Sequence, residues 1–141
     1  MPDANTHISV IIPFYNAEES LPDLVERLYL VAGTIERKFE VILVDDQSHD
    51  RSWQVIQTLK VHYPAFIKIV RLLLNSGQHN AILCGLYLAK GDIIITMDDD
   101  LQNPPEEIPK LVQAIDNGYD LAIGAYEEKK HSRFRNAGGR F

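Results

Sequence analysis

The feature that most constrains the fold of this chain is a regular alternation of short apolar runs with segments of helical periodicity. Five runs rich in β-branched or aliphatic residues have the length of buried strands, at residues 8–13, 40–44, 67–74, 92–97 and 119–124. A segment with helical spacing separates each run from the next. Strands joined by helices need crossover connections, which build a mainly parallel sheet with helices on both faces. The sequence therefore predicts an α/β protein with three layers, α/β/α.

Local signals mark where several of the helices begin and end. Asn16 and Glu19 have the spacing of a capping box ahead of the first helix. Asp50 can cap the second helix, and Gly91 is placed to end the third. Gly118 is placed to end the fourth, which opens with two prolines and two acids.

The charge of the chain is distributed unevenly. The net charge is −6, yet residues 1–128 hold all 20 acidic residues, while the last 13 residues hold five of the 14 basic ones. An acidic body argues against a protein that binds nucleic acid. We expect residues 1–126 to form one domain part and residues 127–141 to form a basic, poorly ordered loop or end. Either an anionic partner or simple solvation accounts for that basic charge.

Further features exclude other classes of protein. Cys84 is the single cysteine, so the sequence contains neither an internal disulfide framework nor a zinc site built from several cysteines. No apolar run reaches the roughly 20 residues that a membrane span needs. Residues 1–7 are short and polar, unlike the start of a signal peptide. These observations predict a cytoplasmic chain.

Three of the predicted strands end in unusual polar clusters, at residues 13–16, 44–48 and 97–102. Because parallel strands present their carboxyl ends at one edge, we expect these clusters to share a rim of the sheet. Five carboxylates then lie close together, those of Asp45, Asp46, Asp98, Asp99 and Asp100. Like charges at short range call for a cation or for raised pKa values. A hard ion such as Mg²⁺ or Mn²⁺, with a nucleotide diphosphate, fits such a site.

Simpler structural interpretations stay open for single residues. Asp46 can begin a turn, and the segment from Asn75 to Gly77 can be an ordinary helix cap. Tyr15 can be a packed aromatic, His79 a surface side chain and Cys84 a small core residue. The three consecutive acids after the strand at 92–97 are different, because they are costly to place without a counter-charge. For them the functional interpretation is favoured.

The ordered motifs resemble glycosyltransferase family 2, and more narrowly its polyprenyl-phosphate glycosyltransferases. The resemblance covers about residues 8–124 and rests on five strings: VIIPFYNAEESL, VDDQSHDRS, LNSGQHNAILCGL, GDIIITMDDDLQNPPEEIPKLV and GYDLAIG. It implies the N-terminal part of a GT-A fold and transfer of a sugar from a nucleotide donor to a lipid phosphate. It also implies roles for the first matched residues: a nucleotide pocket of Pro13, Tyr15 and Glu18, a base contact at Asp46, and a donor contact at Gly77 and Gln78.

The triple acid matches the D-x-D motif of the same family. By this resemblance Asp98 and Asp100 are the two acids of the motif, and Asp99 occupies its variable position beside the nucleotide sugar. Asp98, Asp100 and Gln102 are the implied metal ligands. Asp98 has a second implied role at the ribose.

The resemblance also implies partners. We expect a UDP-sugar in preference to GDP-mannose, Mg²⁺ or Mn²⁺ as cofactor, and polyprenyl phosphate as acceptor of the full-length protein. The full-length protein is expected at the cytoplasmic face of the membrane, and a homo-oligomer stays open. The chain ends before the acceptor half of such enzymes, so we expect it to lack the catalytic base and to be inactive alone.

Two observations leave room for other interpretations. Relatives usually carry an arginine shortly after the fifth strand, whereas here Lys129 and Lys130 follow two glutamates. The same donor motifs also serve family members that act on a polysaccharide or another soluble acceptor. A receiver-like signalling domain is a remote alternative, because its paired acids follow the first strand, whereas Asp45 follows the second.

Overall fold

A computed structural model describes residues 6–125 as a single parallel sheet flanked by helices. The strands are β1 (Ile8–Phe14), β2 (Phe39–Asp45), β3 (Ile67–Arg71) and β4 (Ile93–Thr96), in the order β3-β2-β1-β4. All three strand pairs are parallel. The helices are α1 (Leu21–Thr34), α2 (Ser52–His62), α3 (Gln78–Leu88) and α4 (Ile108–Asp116), and a 3₁₀ turn (Pro105–Glu107) leads directly into α4.

The two faces of the sheet carry separate apolar clusters. On one face, alternate residues of β1 and β2 pack against α1, α2 and α4 in a cluster that contains Val10, Leu24, Ile56 and Val112. On the other face, Ile11 and its neighbours on β2 pack against α3 through a smaller cluster. Residues of β1 and β2 are almost fully buried because both faces are covered. The predicted three-layer α/β/α architecture is confirmed.

Two glycines on the α3 side of the sheet permit a close approach of chain segments. A Cβ on Gly85 would lie 2.3 Å from Cγ2 of Ile11, so only glycine lets α3 sit this close to β1. A Cβ on Gly91 would lie 2.5 Å from the backbone nitrogen of Ser9. Gly91 was expected to end α3, but the helix already ends at Leu88. Glycine is required at position 91 because a side chain there would collide with β1.

The predicted capping box at the start of α1 is wrong. Helix α1 begins only at Leu21, and Asn16 adopts a left-handed backbone with φ of 52°. Its Oδ1 instead accepts hydrogen bonds from the N–H of His49, at 2.9 Å, and of Asp50, at 3.3 Å. The side chain thus ties two loops together. The predicted cap of α2 is one residue off, because Arg51 holds the N-cap position and makes no side-chain cap bond, although Oδ1 of Asp50 accepts the N–H of Ser52, the first helical residue, at 2.9 Å.

Two strand predictions need correction. Strand β3 ends at Arg71, and although the N–H of Leu72 still bonds to Asp45, Leu73 is 90% exposed. The apolar pattern runs on past the point where the chain leaves the sheet. Residues 119–124, the predicted fifth strand, lie within the described part of the chain but form no strand there, and Ile123 is 79% exposed. Its alternating pattern suits a strand, but no described strand pairs with it.

Three smaller expectations concern the helices and the tail. No helix within residues 6–125 has both the length and the apolar content to cross a membrane. Cys84 is half-buried and packs beside the α3 cluster, as expected of a small core residue. The basic segment 127–141 lies outside the described residues, so its predicted disorder and the role of Lys129 and Lys130 stay predictions.

An ion pair with a buried carboxylate joins β2 and β3 near their amino ends. The carboxylate of Glu40 accepts a hydrogen bond from Oγ of Ser9 at 2.6 Å and from the N–H of Lys90 at 2.9 Å. Its Oε2 lies 2.6 Å from Nζ of Lys68. Burial by itself raises the pKa of Glu40, but the bonds from Lys68, Ser9 and Lys90 outweigh it and hold the pKa below its ordinary 4.5.

We therefore expect Glu40 to contribute acid-sensitive stability. Since its pKa in the folded protein is depressed, its contribution is present above pH 4.5 and is lost as the pH falls through the folded-state pKa. Glu40→Gln should lower the free energy of unfolding at pH 7 by about 1.5–3 kcal/mol, the contribution of one hydrogen bond to a charged group. Urea titrations at several pH values measure the difference. A difference between the two proteins that stayed constant from pH 7 to pH 3 would contradict the assignment.

Candidate functional site

The carboxyl ends of β1, β2 and β4 meet the start of α3 around a cleft of about 270 Å³. We call it the strand-end cleft. Three strand ends and one helix contribute to its wall because the strands are parallel and their polar ends face the same rim. Its lining consists of Pro13, Phe14, Tyr15, Asp46, Gln78, Asp98, Asp99 and Asp100.

Asp46 connects the end of β2 to the start of α3. Its Oδ1 accepts the N–H of Ser76 at 2.7 Å, and its Oδ2 accepts the N–H of Gly77 at 2.9 Å. Gly77 occupies the N-cap position of α3 with φ of 89°, and as a glycine it has no side chain with which to cap the helix. The buried carboxylate, which directly follows β2, therefore caps α3 from outside the helix, at the end where negative charge is favourable.

Hydrogen bonds from backbone N–H groups to serine hydroxyls join the loop after β1 to the loop after β2 and to the start of α2. The N–H of Asn16 donates to Oγ of Ser48 at 2.9 Å, and the N–H of Ala17 donates to Oγ of Ser52 at 2.8 Å. Tyr15, 44% exposed, lies at the mouth of the strand-end cleft with its ring edge-on to His49. The position of this ring thus depends on both loops.

The three consecutive acids after β4 have different surroundings. Oδ1 of Asp98 accepts a hydrogen bond from Nε2 of Gln78 at 2.8 Å, whereas Oδ1 of Asp100 accepts the N–H of Gln102 at 3.0 Å. Asp99 is half-buried, and its pKa is raised above the ordinary value by loss of solvent and then by the charges of Asp100 and Asp98. The chain can turn here because Leu101 adopts a left-handed backbone with φ of 61°.

The chemistry of these side chains suits a hard divalent ion. Asp98, Asp100 and Gln102 offer only oxygen donors, which Mg²⁺ and Mn²⁺ prefer. Within residues 6–125, no group of three or more His, Cys, Asp or Glu side chains forms a preorganised metal cluster. Such an ion is commonly held by one or two carboxylates, water and the phosphates of a substrate, so the donor set fits that kind of site.

The structure brings most of the predicted site residues together. Six of them line the strand-end cleft beside Asp100: Pro13, Tyr15, Asp46, Gln78, Asp98 and Asp99. Glu18 lies in an adjoining hollow that Asp99 and Asp100 also line, and its carboxylate pairs with Arg51. Gly77 stands just behind the cleft and bonds to Asp46, while Gln102 is exposed beyond the lining residues. Their roles toward a ligand stay predictions.

Sequence reasoning gave no individual role to several residues that shape the site, although all but Arg71 lie in segments that it singled out. Phe14 lines the cleft although it is buried, and Ser48 and Ser76 provide the groups to which loop residues bond. Arg71 bonds to the carbonyl of Ser48 at 2.9 Å. The one available signal was the arginine itself, a charge within the otherwise apolar run from residue 69 to residue 74.

Comparison with known families identifies the class of this fold and site. Residues 9–140 match the family described as "Glycosyl transferase family 2". The chain therefore belongs to glycosyl transferase family 2, and its sheet is the N-terminal part of a GT-A fold. Family membership confirms the resemblance read from the motifs and rules out the receiver-like alternative.

One curated relative is much longer than this chain. The chain is 45% identical over 135 residues to a Pectobacterium atrosepticum protein named undecaprenyl-phosphate 4-deoxy-4-formamido-L-arabinose transferase. The alignment covers 96% of this chain and 41% of that protein. The chain thus spans about two fifths of the length of this relative.

Two solved structures share the fold. A mannosyltransferase from Pyrobaculum calidifontis, in complex with GDP-Man and Mn²⁺, superposes with a TM-score of 0.66 at 21% identity, over 80% of this chain and 34% of the other. TarS from S. aureus, residues 1–349 in complex with UDP-GlcNAc, superposes with a TM-score of 0.60 at 29% identity, over 79% of this chain and 31% of the other.

Proposed function

We propose that this chain is the donor-binding part of a metal-dependent glycosyltransferase, which moves a sugar from a nucleotide diphosphate to a polyprenyl phosphate. The observation that carries the proposal is the strand-end cleft, where Tyr15, Asp46 and Asp98–Asp100 come together in a family 2 chain. The curated relative carries undecaprenyl phosphate in its name, and both solved structures are complexes with nucleotide sugars.

Each part of the cleft has a proposed task in donor binding. Pro13, Tyr15 and Glu18 would line the nucleoside pocket, and Asp46, whose carboxylate also accepts the N–H groups of Ser76 and Gly77, would hydrogen-bond the base. Gln78 lies beside the donor and holds Asp98 by a hydrogen bond at 2.8 Å. Asp98 and Asp99 complete the nucleotide-sugar site.

Asp98, Asp100 and Gln102 would hold the metal ion. When bound, Mg²⁺ or Mn²⁺ supplies positive charge that stabilises the leaving diphosphate. The acids at this rim also repel an incoming diphosphate when no cation is present, so binding of the donor should depend strongly on metal. The lipid phosphate then displaces the nucleotide directly at the sugar carbon.

Calorimetric titration of the 141-residue chain tests donor binding. We expect UDP and UDP-sugars to bind more tightly than GDP-mannose, and to bind at least tenfold more tightly with Mn²⁺ than without divalent metal. Asp100→Asn should remove most of this metal effect because it deletes one carboxylate ligand. Asp120→Asn, an exposed acid away from the cleft, is the matched control and should behave like wild type. If no nucleotide bound even at millimolar concentration, the donor-site proposal would fail.

The acceptor needs a separate experiment with a longer protein. A full-length parent is expected to transfer labelled sugar to undecaprenyl phosphate in detergent, whereas the 141-residue chain is expected to transfer none. Transfer to a soluble polysaccharide instead would support the alternative acceptor. Transfer by the 141-residue chain would contradict the expectation that this chain is inactive alone.

A further inference from the structure

A fully buried carboxylate, that of Asp45, lies directly behind the strand-end cleft. Asp45 is the last residue of β2 and stands opposite Arg71, the last residue of β3, in the register of the sheet. Oδ1 of Asp45 accepts the N–H of Ser48 at 2.8 Å. Its Oδ2 accepts no hydrogen bond from residues 6–125 and lies 3.2 Å from Nε of Arg71. The guanidinium charge is therefore what offsets the burial of this carboxylate.

Arg71 binds the same turn at a second point. Its Nη2 donates to the carbonyl oxygen of Ser48 at 2.9 Å, while Nε faces Asp45. The guanidinium lies over the ring of Trp53 on α2, 5.6 Å from the ring centroid. A planar group with several fixed donors can make these contacts together, which an ammonium group cannot reproduce.

The turn held in this way carries the walls of the cleft. Asp46 follows Asp45 directly, and the next residue, Gln47, has a left-handed backbone with φ of 63°. Ser48 then accepts the N–H of Asn16 through its Oγ, which joins the turn to the loop that carries Tyr15. A shift of this turn would therefore move two parts of the cleft at once.

We propose that Arg71 is a positioning residue for the nucleotide cleft, because it neutralises Asp45, binds Ser48 and so fixes the turn that places Asp46 and Tyr15. Its guanidinium is not among the groups that line the cleft, so it acts through the residues it holds. The identity of the ligand in this inference depends on the proposed function. The fixed turn does not, because it follows from contacts within the chain.

The chain offers a matched control at the other end of the same two strands. Glu40 and Lys68 also pair a buried carboxylate on β2 with a cation on β3, and the two cations are 37% and 39% exposed. The Glu40 pair lies at the amino end of the strands, away from the cleft. Lys68→Met thus removes a comparable cation from the same strand without touching the turn.

The test compares Arg71→Met, Arg71→Lys and Lys68→Met in the 141-residue chain. Hydrogen exchange of the amides of Ser48, Ser76 and Gly77 reports the turn and its bonds to Asp46 without any ligand. Calorimetric titration with UDP and Mn²⁺ reports the cleft. We expect Arg71→Met to speed exchange at these amides and to weaken UDP binding, each by about tenfold, which corresponds to 1.4 kcal/mol. Arg71→Lys should recover part of both, and Lys68→Met should change neither.

The possible outcomes separate the role of Arg71 from the proposed function of the cleft. Exchange at these amides no faster in Arg71→Met than in Lys68→Met would overturn the proposal, whether or not a nucleotide binds. Faster exchange with unchanged UDP affinity would also overturn it, because Arg71 would then hold the turn without affecting the cleft. Failure of the wild-type chain to bind any nucleotide would count against the proposed function, and the exchange data would still judge the fixed turn.

Discussion

Replacing Asp46 with alanine is expected to weaken the fold and the proposed ligand site together. The carboxylate is buried and accepts hydrogen bonds from the N–H groups of Ser76 and Gly77. Removing it leaves two donors at the start of α3 without their charged acceptor. We expect the free energy of unfolding to fall by about 2–4 kcal/mol, because hydrogen bonds to charged groups are stronger than neutral ones. Chemical denaturation followed by circular dichroism measures this loss.

The same substitution should weaken nucleotide binding by roughly 30-fold, the effect of losing one charged hydrogen-bonding group of about 2 kcal/mol. Asp46→Asn distinguishes charge from shape, because an amide can accept at one atom only and places a donor against the second N–H. It should therefore lose nearly as much stability as alanine. Asp120→Ala provides the control of an exposed acid and should leave both quantities unchanged. A stable Asp46→Ala protein with full UDP affinity would contradict both parts.

The parts of the fold that the sequence could predict are those governed by local pattern. The first four strands and the helices between them could be predicted from apolar spacing. An element that is buried on one or both faces carries apolar residues at a regular period in its sequence. The strand predicted at 67–74 is longer than the observed β3, which ends at Arg71, because apolar residues do not show where a chain leaves a sheet. The run at 119–124 has the alternation of a strand, but pairing depends on a neighbour that composition cannot supply.

Tertiary bonding also explains why the helix signals were only partly correct. Asn16 has an ideal residue type for a helix cap, yet its Oδ1 binds the N–H of His49, 33 residues along the chain. The real cap of α3 comes from Asp46, 31 residues before Gly77. A side chain with good acceptor chemistry can serve its own segment or a distant one, and local spacing does not distinguish the two.

The location of the candidate site was predictable because it follows from topology. Parallel strands place their carboxyl ends on one rim, so the polar clusters at the ends of β1, β2 and β4 had to be neighbours. The roles of the individual residues at this rim were harder to predict from the sequence. Asp45 and Asp46 are adjacent acids, but one faces the guanidinium of Arg71 and the other faces the start of α3. Only the alternation of side chains along β2 separates these environments.

Position 85 is expected to tolerate no residue larger than glycine without loss of stability. Gly85→Ala adds a Cβ that would lie 2.3 Å from Cγ2 of Ile11, which is itself fully buried on β1. Overpacking of this kind costs about 1–3 kcal/mol, enough to outweigh the roughly 1 kcal/mol by which alanine favours a helix. The same substitution at Gly33 in α1 meets nothing within 4 Å and should stabilise by about 0.4–1 kcal/mol.

Unfolding free energies of the two alanine variants should therefore shift in opposite directions. A third variant tests the cause, because Ile11→Ala removes the atoms that the new Cβ would meet. In the Gly85→Ala, Ile11→Ala double variant the loss should be smaller than the sum of the two single losses, as for any pair in direct contact. Strict additivity, or a stabilised Gly85→Ala protein, would mean that α3 can move away from β1 at little cost. The start of α3 carries Gln78 and the groups bonded to Asp46, so such a movement would also reshape the strand-end cleft.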